Sequence, residues 1–371
     1  MKNKIGMAVI SASLLFSTSC SDAPATADQS SEATISIPHY ELVSTGSYGV
    51  EMGDSLNMIG SIADCCYHPD GSVLILDRAA MLVRRVNQEE VTLISRAGEG
   101  PGEMIFPQSL CCLPDGKILV ADEGKREVME FSTAGDYLGS YFTTDRYVPH
   151  LMFPVDSTSI AGAMLDLQMG EGQILFAVNF VRFDENSAPS VVFNRREWEW
   201  PAPELYTEIE MMHYTAAPDG TFYLTMDNTE YSVSIYSASG ELTGSIQRSD
   251  LPRIAKTEEE IEEEIVLFEE RAVEDQAYTG GYEPCPYHQM ISLVGVDEDS
   301  NLWIERLGGD PETEGCLFDV WDSEGNLVHT ASFQEPEASS DILFHADQYG
   351  ILANVVDPDL FPRVLFLELE D

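Results

Sequence analysis

A repeated unit of strand, tight turn and strand constrains this chain more than any other feature of its sequence. Three copies carry Pro-Asp-Gly between two apolar runs, at 69–71, 114–116 and 218–220. Proline presets φ and glycine takes the following positive φ without steric cost, so each copy predicts a β-hairpin. The first two copies lie 45 residues apart, counted from Asp70 to Asp115.

Weaker copies of the same unit lie at 153–157, 294–304 and 343–352. The better copies are followed by a second hairpin, as at 128–142 and 231–246. Four strands per unit, repeated every 40 to 50 residues, are typical of a β-propeller. We therefore predict an all-β chain, a six-bladed β-propeller of four-stranded antiparallel blades over residues 38–371.

The last unit supplies three strands, and the spare strand at 40–44 would complete it and close the ring. Closure removes the unpaired edges that an open sheet leaves. Seven blades are the alternative, if the stretch between Asp227 and Met290 contains another unit.

One inserted helix is predicted at about 257–276, between the fourth and fifth units. Thr257 and Glu260 form a capping-box pattern, and acidic residues fill the first turn. Ile261, Ile265, Phe268 and Ala272 fall on one stripe, as expected for a helix that packs on the outside of the ring.

The first residues predict export. A short cationic start, Met1 to Lys4, precedes an apolar run from Ile5 to Phe16, which is too short to span a bilayer. Small residues then lead into Cys20, an arrangement that resembles the bacterial lipobox, although Ser17 stands where leucine is more usual. The resemblance implies a lipoprotein signal peptide at 1–19 and a lipidated flexible tether at 20–37, with the membrane contacted through the acyl chains in the cell envelope. An ordinary cleaved signal beside a chance cysteine is the alternative.

Charge limits the partners. The chain has 65 acidic and 19 basic residues and a formal net charge of −46. Such a surface repels the phosphate backbone, so we expect no nucleic-acid partner. The six cysteines after Cys20 include no CxxC element, and we expect most of them to be small buried residues rather than zinc ligands.

Several motifs resemble those of a known group. Residues 120–131 resemble the NHL repeat, and the wider chain is similar to six-bladed propeller lipoproteins of Bacteroidetes-like bacteria at the loop 98–103, Phe106-Pro107, the helix after Leu251-Pro252, 297–299 and 302–304. The resemblance covers most of the chain from Tyr40 and implies a fold. It implies little about activity, because propellers carry many functions.

Sequence signatures of common enzymes are absent: the chain has no GxSxG, HExxH or GxxxxGK[ST] motif. The acidic loops at 297 and 322 lack the glycine and glutamate of a calcium loop and are interpreted as hairpin turns. Asp77 and Asp122 end equivalent strands and are expected to accept hydrogen bonds from loop amides. Trp198 and Trp200, together with the aromatic residues from Tyr278 to Tyr287, fit an exposed recognition surface, and Trp198 and Trp200 fit a cap between blades equally well.

A candidate site follows from the register of the repeat. Six residues before the turn aspartates stand Asp64, Ser109, His150 and His213, which we expect to form a ring at the mouth of the central channel. The fifth unit offers Leu293 on this register with His288 upstream, and the sixth has Asp341 nearby. One hypothesis is a divalent metal bound by His150, His213 and Asp64; the other is that these residues hydrogen-bond channel water.

These observations favour an envelope binding or scaffolding module for an unknown protein, peptide or glycan ligand, with no cofactor assigned. The alternative is a metal-dependent envelope enzyme of the lactonase or lyase type with its site at the channel mouth. A purely structural subunit of an outer-membrane complex is a third possibility.

Overall fold

The computed structural model describes residues 37–87, 90–145, 147–170, 173–184, 189–274, 281–307, 315–334, 342–356 and 361–370. The predicted signal peptide, Cys20 and nearly all of the predicted tether lie outside these residues. Within them, no helix is long and apolar enough to cross a membrane.

Four separate four-stranded antiparallel sheets follow one another along the chain, and each is a blade in chain order. Blade 1 contains β2 Ile62–Tyr67, β3 Val73–Asp77, β4 Leu82–Val86 and β5 Val91–Ser95. Blade 2 contains β6 Pro107–Cys112, β7 Ile118–Asp122, β8 Glu127–Phe131 and β9 Tyr137–Thr143. Blade 3 contains β10 His150–Asp156, β11 Ser159–Met169, β12 Ile174–Asp184 and β13 Pro189–Glu199. Blade 4 contains β14 His213–Ala216, β15 Phe222–Thr225, β16 Ser232–Tyr236 and β17 Leu242–Gln247.

Eight further strands form one closed barrel. They are β1 His39–Tyr48, β18 Ile291–Val296, β19 Leu302–Arg306, β20 Cys316–Trp321, β21 Leu327–Phe333, β22 Ile342–Asp347, β23 Gly350–Val355 and β24 Arg363–Glu370. As expected, the spare N-terminal strand joins the last unit: β1 pairs antiparallel with β24 from Glu41 to Tyr48.

The prediction of six separate blades therefore differs from the structure, which shows a propeller-like ring of four separate blades and a barrel. Two strand pairings join the fifth and sixth predicted units into this barrel. β1 also pairs parallel with β21, and Gly295 of β18 bridges Ala346 of β22. A Cβ at Gly295 would lie 1.8 Å from the Ala346 carbonyl oxygen, so only glycine permits this approach. No seventh unit lies between Asp227 and Met290 in the described residues.

The first strands of the units hold the ring together. They contact one another in cyclic order: β2, β6, β10, β14, β18, β22 and β2 again. Apolar side chains fill the space between neighbouring sheets, as where Leu76 and Val83 of blade 1 pack with Leu110 and Met129 of blade 2. The hydrophobic effect thus binds each sheet to the next.

The Pro-Asp-Gly turns form as predicted. Gly71, Gly116 and Gly220 have φ of 83°, 86° and 87°, and each turn is closed by a backbone bond such as His68 N–H to the Ser72 carbonyl, 2.8 Å. The turn aspartate accepts from the amide two residues later, as Asp219 does from Thr221 at 2.9 Å.

Two helices of the described residues lie outside the sheets. The predicted helix is α2, Glu258–Glu274, and its capping box is present: Thr257 N–H donates to Glu260 Oε2 (2.6 Å), and Glu260 N–H donates to Thr257 Oγ1 (3.2 Å). The short α1, Leu205–Glu210, was not expected from the sequence. The two helices touch through Tyr206 of α1 and Phe268 of α2, whose ring centroids are 5.4 Å apart.

Candidate functional site

The candidate residues lie where the first strands of the units begin, on a face of the ring that we call the mouth face. Asp64, Ser109 and His213 each pair with the fourth residue of their second strand, namely Leu76, Ala121 and Thr225. His150 pairs instead with Ala163, the fifth residue of β11, because an irregularity follows it in β10. All four residues therefore lie on the mouth face, and His150 is displaced by one residue pair along its strand relative to the other three.

In the fifth unit, counting back from the turn selected the wrong residue. A register shift between Leu293 and Gly295 places Ser292 opposite Glu305, the fourth residue of β19. Ser292, and not Leu293, therefore holds the position of Asp64 and Ser109. A bulge of this kind leaves no local signal in one sequence. His288 lies elsewhere, 3.4 Å from Glu260 of α2, and Asp341 lies outside the described residues.

Asp64 links two blades. Its carboxylate accepts from the Leu110 N–H of blade 2 at 2.9 Å and from the Cys65 N–H at 2.9 Å. Burial raises the pKa of Asp64 to about 6, although these bonds and the nearby charges of His345 and Arg78 act in the opposite direction. Asp64 therefore exchanges a proton in mildly acidic solution.

Arg78 begins a chain of hydrogen bonds across blades 1 and 2. Its Nη2 donates to Gln108 Oε1 at 3.3 Å, and Gln108 Nε2 donates to Glu123 Oε2 at 3.0 Å. His150 of blade 3 stands beside this chain: burial lowers its pKa, Glu123 opposes that effect and Arg78 adds to it. We call these residues, with Asp64, the mouth cluster (Asp64, Arg78, Gln108, Glu123 and His150).

His213 is held apart from the mouth cluster. Its Nδ1 lies 3.1 Å from Ser292 Oγ, and its Nε2 lies 3.2 Å from Asn228 Nδ2. Burial lowers the pKa of His213, so the ring is neutral at neutral pH. Because both ring nitrogens have protein partners, His213 has no nitrogen free for a metal ion.

Ser109 is also used by the protein itself, since its hydroxyl donates to the Pro149 carbonyl of the next unit at 3.2 Å. Across the described residues, no group of three or more His, Cys, Asp or Glu side chains is arranged to hold a metal ion. The structure thus brings Asp64 and His150 together around Arg78 and places Ser109 and His213 in contacts between blades.

A strained residue lies next to His150. Leu151 has φ of 45°, which a leucine rarely adopts, and its side chain is exposed. The buried Tyr214 hydroxyl donates to the His150 carbonyl and lies 3.2 Å from that of Leu151. Met81 and Arg126 also have positive φ, but they repeat at the same place in blades 1 and 2 and belong to the turn. Leu151 has no such counterpart, and strain of this kind concentrates at functional sites.

The structure confirms the prediction that Asp77 and Asp122 accept hydrogen bonds from loop amides. The Asp77 carboxylate accepts from the N–H groups of Gly60, Ser61 and Ala80 at 3.0 to 3.2 Å. Asp122 accepts from the N–H groups at the same three offsets, those of Ile105, Phe106 and Lys125, at 2.7 to 3.1 Å. Each aspartate therefore fixes the loop that enters its blade.

The mouth face and the opposite face differ in their connections. The opposite face, which we call the turn face, carries short hairpin turns at 68–72, 113–117, 217–221 and 297–301. The mouth face carries α1, α2 and the hairpin in which β11 and β12 pair for six further residues beyond Ala163, up to Met169 and Ile174. Exposed apolar side chains also lie there, among them Ile105, Phe106 and Leu151.

A narrow cavity on the ring axis opens towards the turn face. Its volume is about 40 Å³, enough for a few water molecules, and every first strand contributes to its lining. Cys66, Cys111 and Cys112 line it as free buried thiols, and burial raises the pKa of each. Cys65 is also buried and free, as the sequence led us to expect for most of the cysteines.

The aromatic recognition surface is not formed by Trp198. This side chain is buried in the core between blades 3 and 4, and its Nε1 donates to Glu208 at 3.0 Å. Trp200 contacts Phe176 of the extended hairpin at 5.5 Å between ring centroids. The interpretation of Trp198 as a cap between blades is therefore the correct one.

No protein-family model and no curated protein matches the chain. Solved structures with a similar arrangement include a member of the DUF4221 family from Bacteroides vulgatus, with 11% identity, a TM-score of 0.45, and coverage of 90% of this chain and 99% of that one. The WD40 β-propeller domain of Doa1 has 11% identity, a TM-score of 0.44, and coverage of 89% and 98%. Virginiamycin B lyase from Staphylococcus aureus has 12% identity, a TM-score of 0.38, and coverage of 89% and 88%. At these identities the likenesses concern the fold alone.

Proposed function

We propose that this chain is an exported, lipid-anchored propeller of six blades that binds a ligand at its mouth face. The count of six treats the barrel as two blades, β18 to β21 and β22 to β24 with β1. Each of these sets is antiparallel in the order of the other blades, and the cyclic contacts of the six first strands support the same count.

One observation carries the functional proposal: the chain places its additional structure on one face. The turn face has short hairpin turns, whereas α1, α2 and the β11–β12 extension all project on the mouth face. Longer connections are costly to order and are where rigid scaffolds carry binding residues. The mouth cluster lies on that same face.

The anchor proposal rests on the N-terminal sequence, with its cationic start, its short apolar run and Cys20. Acyl chains on Cys20 would hold the protein at a membrane of the cell envelope without a spanning helix. Residues 20–37 would then separate the propeller from the lipid surface.

Binding is favoured over catalysis because two of the four predicted site residues are engaged in contacts between units. Ser109 and His213 join neighbouring units through their side chains. Among the described residues, the carboxylates and imidazole of the mouth cluster are not arranged in a group of three or more that could hold a metal ion. The metal-binding set predicted for the lactonase or lyase alternative includes His213, whose two ring nitrogens are occupied.

Site-specific photo-crosslinking tests the proposal. A benzoylphenylalanine at Phe106, exposed on the mouth face, is compared in native envelopes with one at Ser239, exposed in the β16–β17 turn of the turn face. We expect a discrete crosslinked product from Phe106 and none from Ser239. Equal products from both positions, or none from either, would contradict the assignment of the binding face. Turnover of lactones, esters or glycosides well above background by purified protein would contradict the binding role.

A further inference from the structure

The guanidinium of Arg78 is unusual in so acidic a chain. Acidic residues outnumber basic ones by 65 to 19, and most described arginines have a carboxylate within 4 Å, as Arg84 has Asp77 and Arg196 has Glu208. Arg78 is exposed, and in the part of the chain that the structure describes its one side-chain hydrogen bond goes to the neutral amide of Gln108. Its charge is therefore available to a ligand.

Two hydrogen bonds restrain Arg78, one from its backbone and one from its side chain. Its backbone N–H donates to the Ser61 carbonyl at 2.9 Å, and Gln108, held in turn by Glu123, restrains its guanidinium. Fixing a guanidinium before binding reduces the entropy that the ligand contact must overcome.

Exposed apolar side chains lie on the same face of the ring as this charge. Ile105 and Phe106 directly precede the strand that carries Gln108, and their side chains are 42% and 49% exposed. Leu151, 47% exposed, follows His150 on the neighbouring unit. Tyr214 holds the strained backbone there, so the exposure of Leu151 is built into the fold. A charged donor group and fixed apolar side chains on one face fit a ligand with one anionic end and an apolar stem.

We propose that Arg78 binds the carboxylate of a ligand whose short apolar stem lies against Ile105, Phe106 and Leu151. This inference rests on the proposed binding function of the mouth face and names the chemistry of its ligand. A planar guanidinium matches a carboxylate through two parallel hydrogen bonds. The nearby Asp64 and Glu123 and the net charge of −46 favour a monoanion over a phosphate that carries two charges. A peptide C terminus and a short fatty acid share this chemistry.

Binding is measured at pH 7.5 and low salt from the arginine Nε–Hε signals of selectively labelled full-length protein, with two pairs of probes. One pair is hexanoate and hexanamide; the other is acetyl-Ala-Leu with a free carboxylate and the same dipeptide as its C-terminal amide. We expect saturable shifts with the acids and at least about tenfold weaker binding of each amide, because the amide lacks the charge that strengthens hydrogen bonds from a guanidinium. Binding of both acids supports the shared chemistry, and binding of the dipeptide acid alone assigns the site to peptide C termini.

The variants are Arg78→Gln and a matched control, Arg126→Gln. Arg126 is also exposed, and its guanidinium also bonds to a neutral acceptor, the Asp145 carbonyl at 3.1 Å. Its backbone N–H donates to the Glu123 carbonyl at 3.2 Å, a bond that the substitution keeps. Arg78→Gln should weaken binding of the acids about tenfold or more, whereas Arg126→Gln should change it less than about twofold. Equal binding of acid and amide, or equal loss in the two variants, would overturn the inference. If the crosslink from Phe106 persists while the acids fail to bind, the ligand class is wrong and the binding face stands.

Discussion

Asp77 and Asp122 offer a matched test of what holds the blades. Both end the second strand of their blade, and both accept from two amides of the incoming loop and one amide of the following turn, at the same offsets. They differ seven residues later. Blade 1 has Arg84, 1% exposed, whose Nη1 donates to Asp77 Oδ2 at 2.8 Å, whereas blade 2 has the buried Met129.

Substitution by asparagine separates the two contributions. In both aspartates Oδ1 accepts from two of the amides, and an asparagine carbonyl in that place keeps those bonds. The new Nδ2 then replaces Oδ2. In Asp122→Asn it faces the Ile105 N–H, and one lost bond costs about 1–3 kcal/mol. In Asp77→Asn it faces the Gly60 N–H and the buried Arg84, whose unpaired charge raises the cost to about 3–5 kcal/mol.

Urea unfolding of both variants at pH 7 measures these free energies. The double variant Asp77→Asn/Arg84→Met installs the residue of blade 2 and should recover about 2 kcal/mol relative to Asp77→Asn. Burial raises the pKa of Asp77, but the bonds from Gly60, Ala80 and Arg84 outweigh it and hold the pKa below the ordinary 3.8. A lowered folded-state pKa stabilises the fold above the unfolded pKa, so the effect is complete at pH 7 and is lost as the pH falls below about 4. Equal costs for the two asparagine variants, or no recovery in the double variant, would refute this reasoning.

The remaining predictions concern the anchor, the helix, the mouth and metal. Cys20→Ala should abolish acylation, and continued labelling with a radioactive fatty acid would exclude the lipoprotein assignment. Replacing residues 257–276 by a short Gly/Ser linker should lower the melting temperature but keep the β-rich circular dichroism, since α2 packs on α1 and not within a sheet; loss of all folded signal would contradict this. Because the folded-state pKa of Asp64 is raised to about 6, the native state binds more protons between about pH 4 and 6, and stability from this group falls as the pH rises through that window. Urea midpoints of Asp64→Asn should therefore depend less on pH there than those of the wild type, and equal dependence would reject the buried carboxylate. Mass spectrometry of protein purified without an affinity metal should find less than about a tenth of an equivalent of any metal, with no change in His150→Ala/His213→Ala, and a stoichiometric metal lost in that variant would restore the metal hypothesis.

The repeat made much of the fold predictable. Pro-Asp-Gly fixes a local backbone conformation, so the hairpins at 69–71, 114–116 and 218–220 follow from three adjacent residues. The capping box of α2 is local in the same way. In contrast, two pairings depend on residues that are distant in sequence: β1 with β21, and Gly295 with Ala346. No local sequence pattern predicts them.

The sequence predicted which face of the ring carries the candidate site, but not all of the residues in it. Counting back from the turns placed Asp64, Ser109 and His213 at equivalent pairs, but bulges displaced His150 and substituted Ser292 for Leu293. Arg78, Gln108 and Glu123 were missed because they lie outside the counted register, at strand ends and in turns. The one available signal was charge: Arg78 directly follows the structural Asp77 in a chain with few basic residues.

The pairing of β1 with β24 sets the order in which this protein can be completed. Glu41 pairs with Glu370, so the strand made first must wait for one of the last before its edge is covered. Until then the edges of β24 and β21 are open to any extended segment nearby, which is the condition under which strands pair with the wrong chain. Contacts this distant in sequence also slow folding. If the chain is exported from its N terminus, as proposed, closure of the ring is the last event, and the open strand edges stay exposed until then.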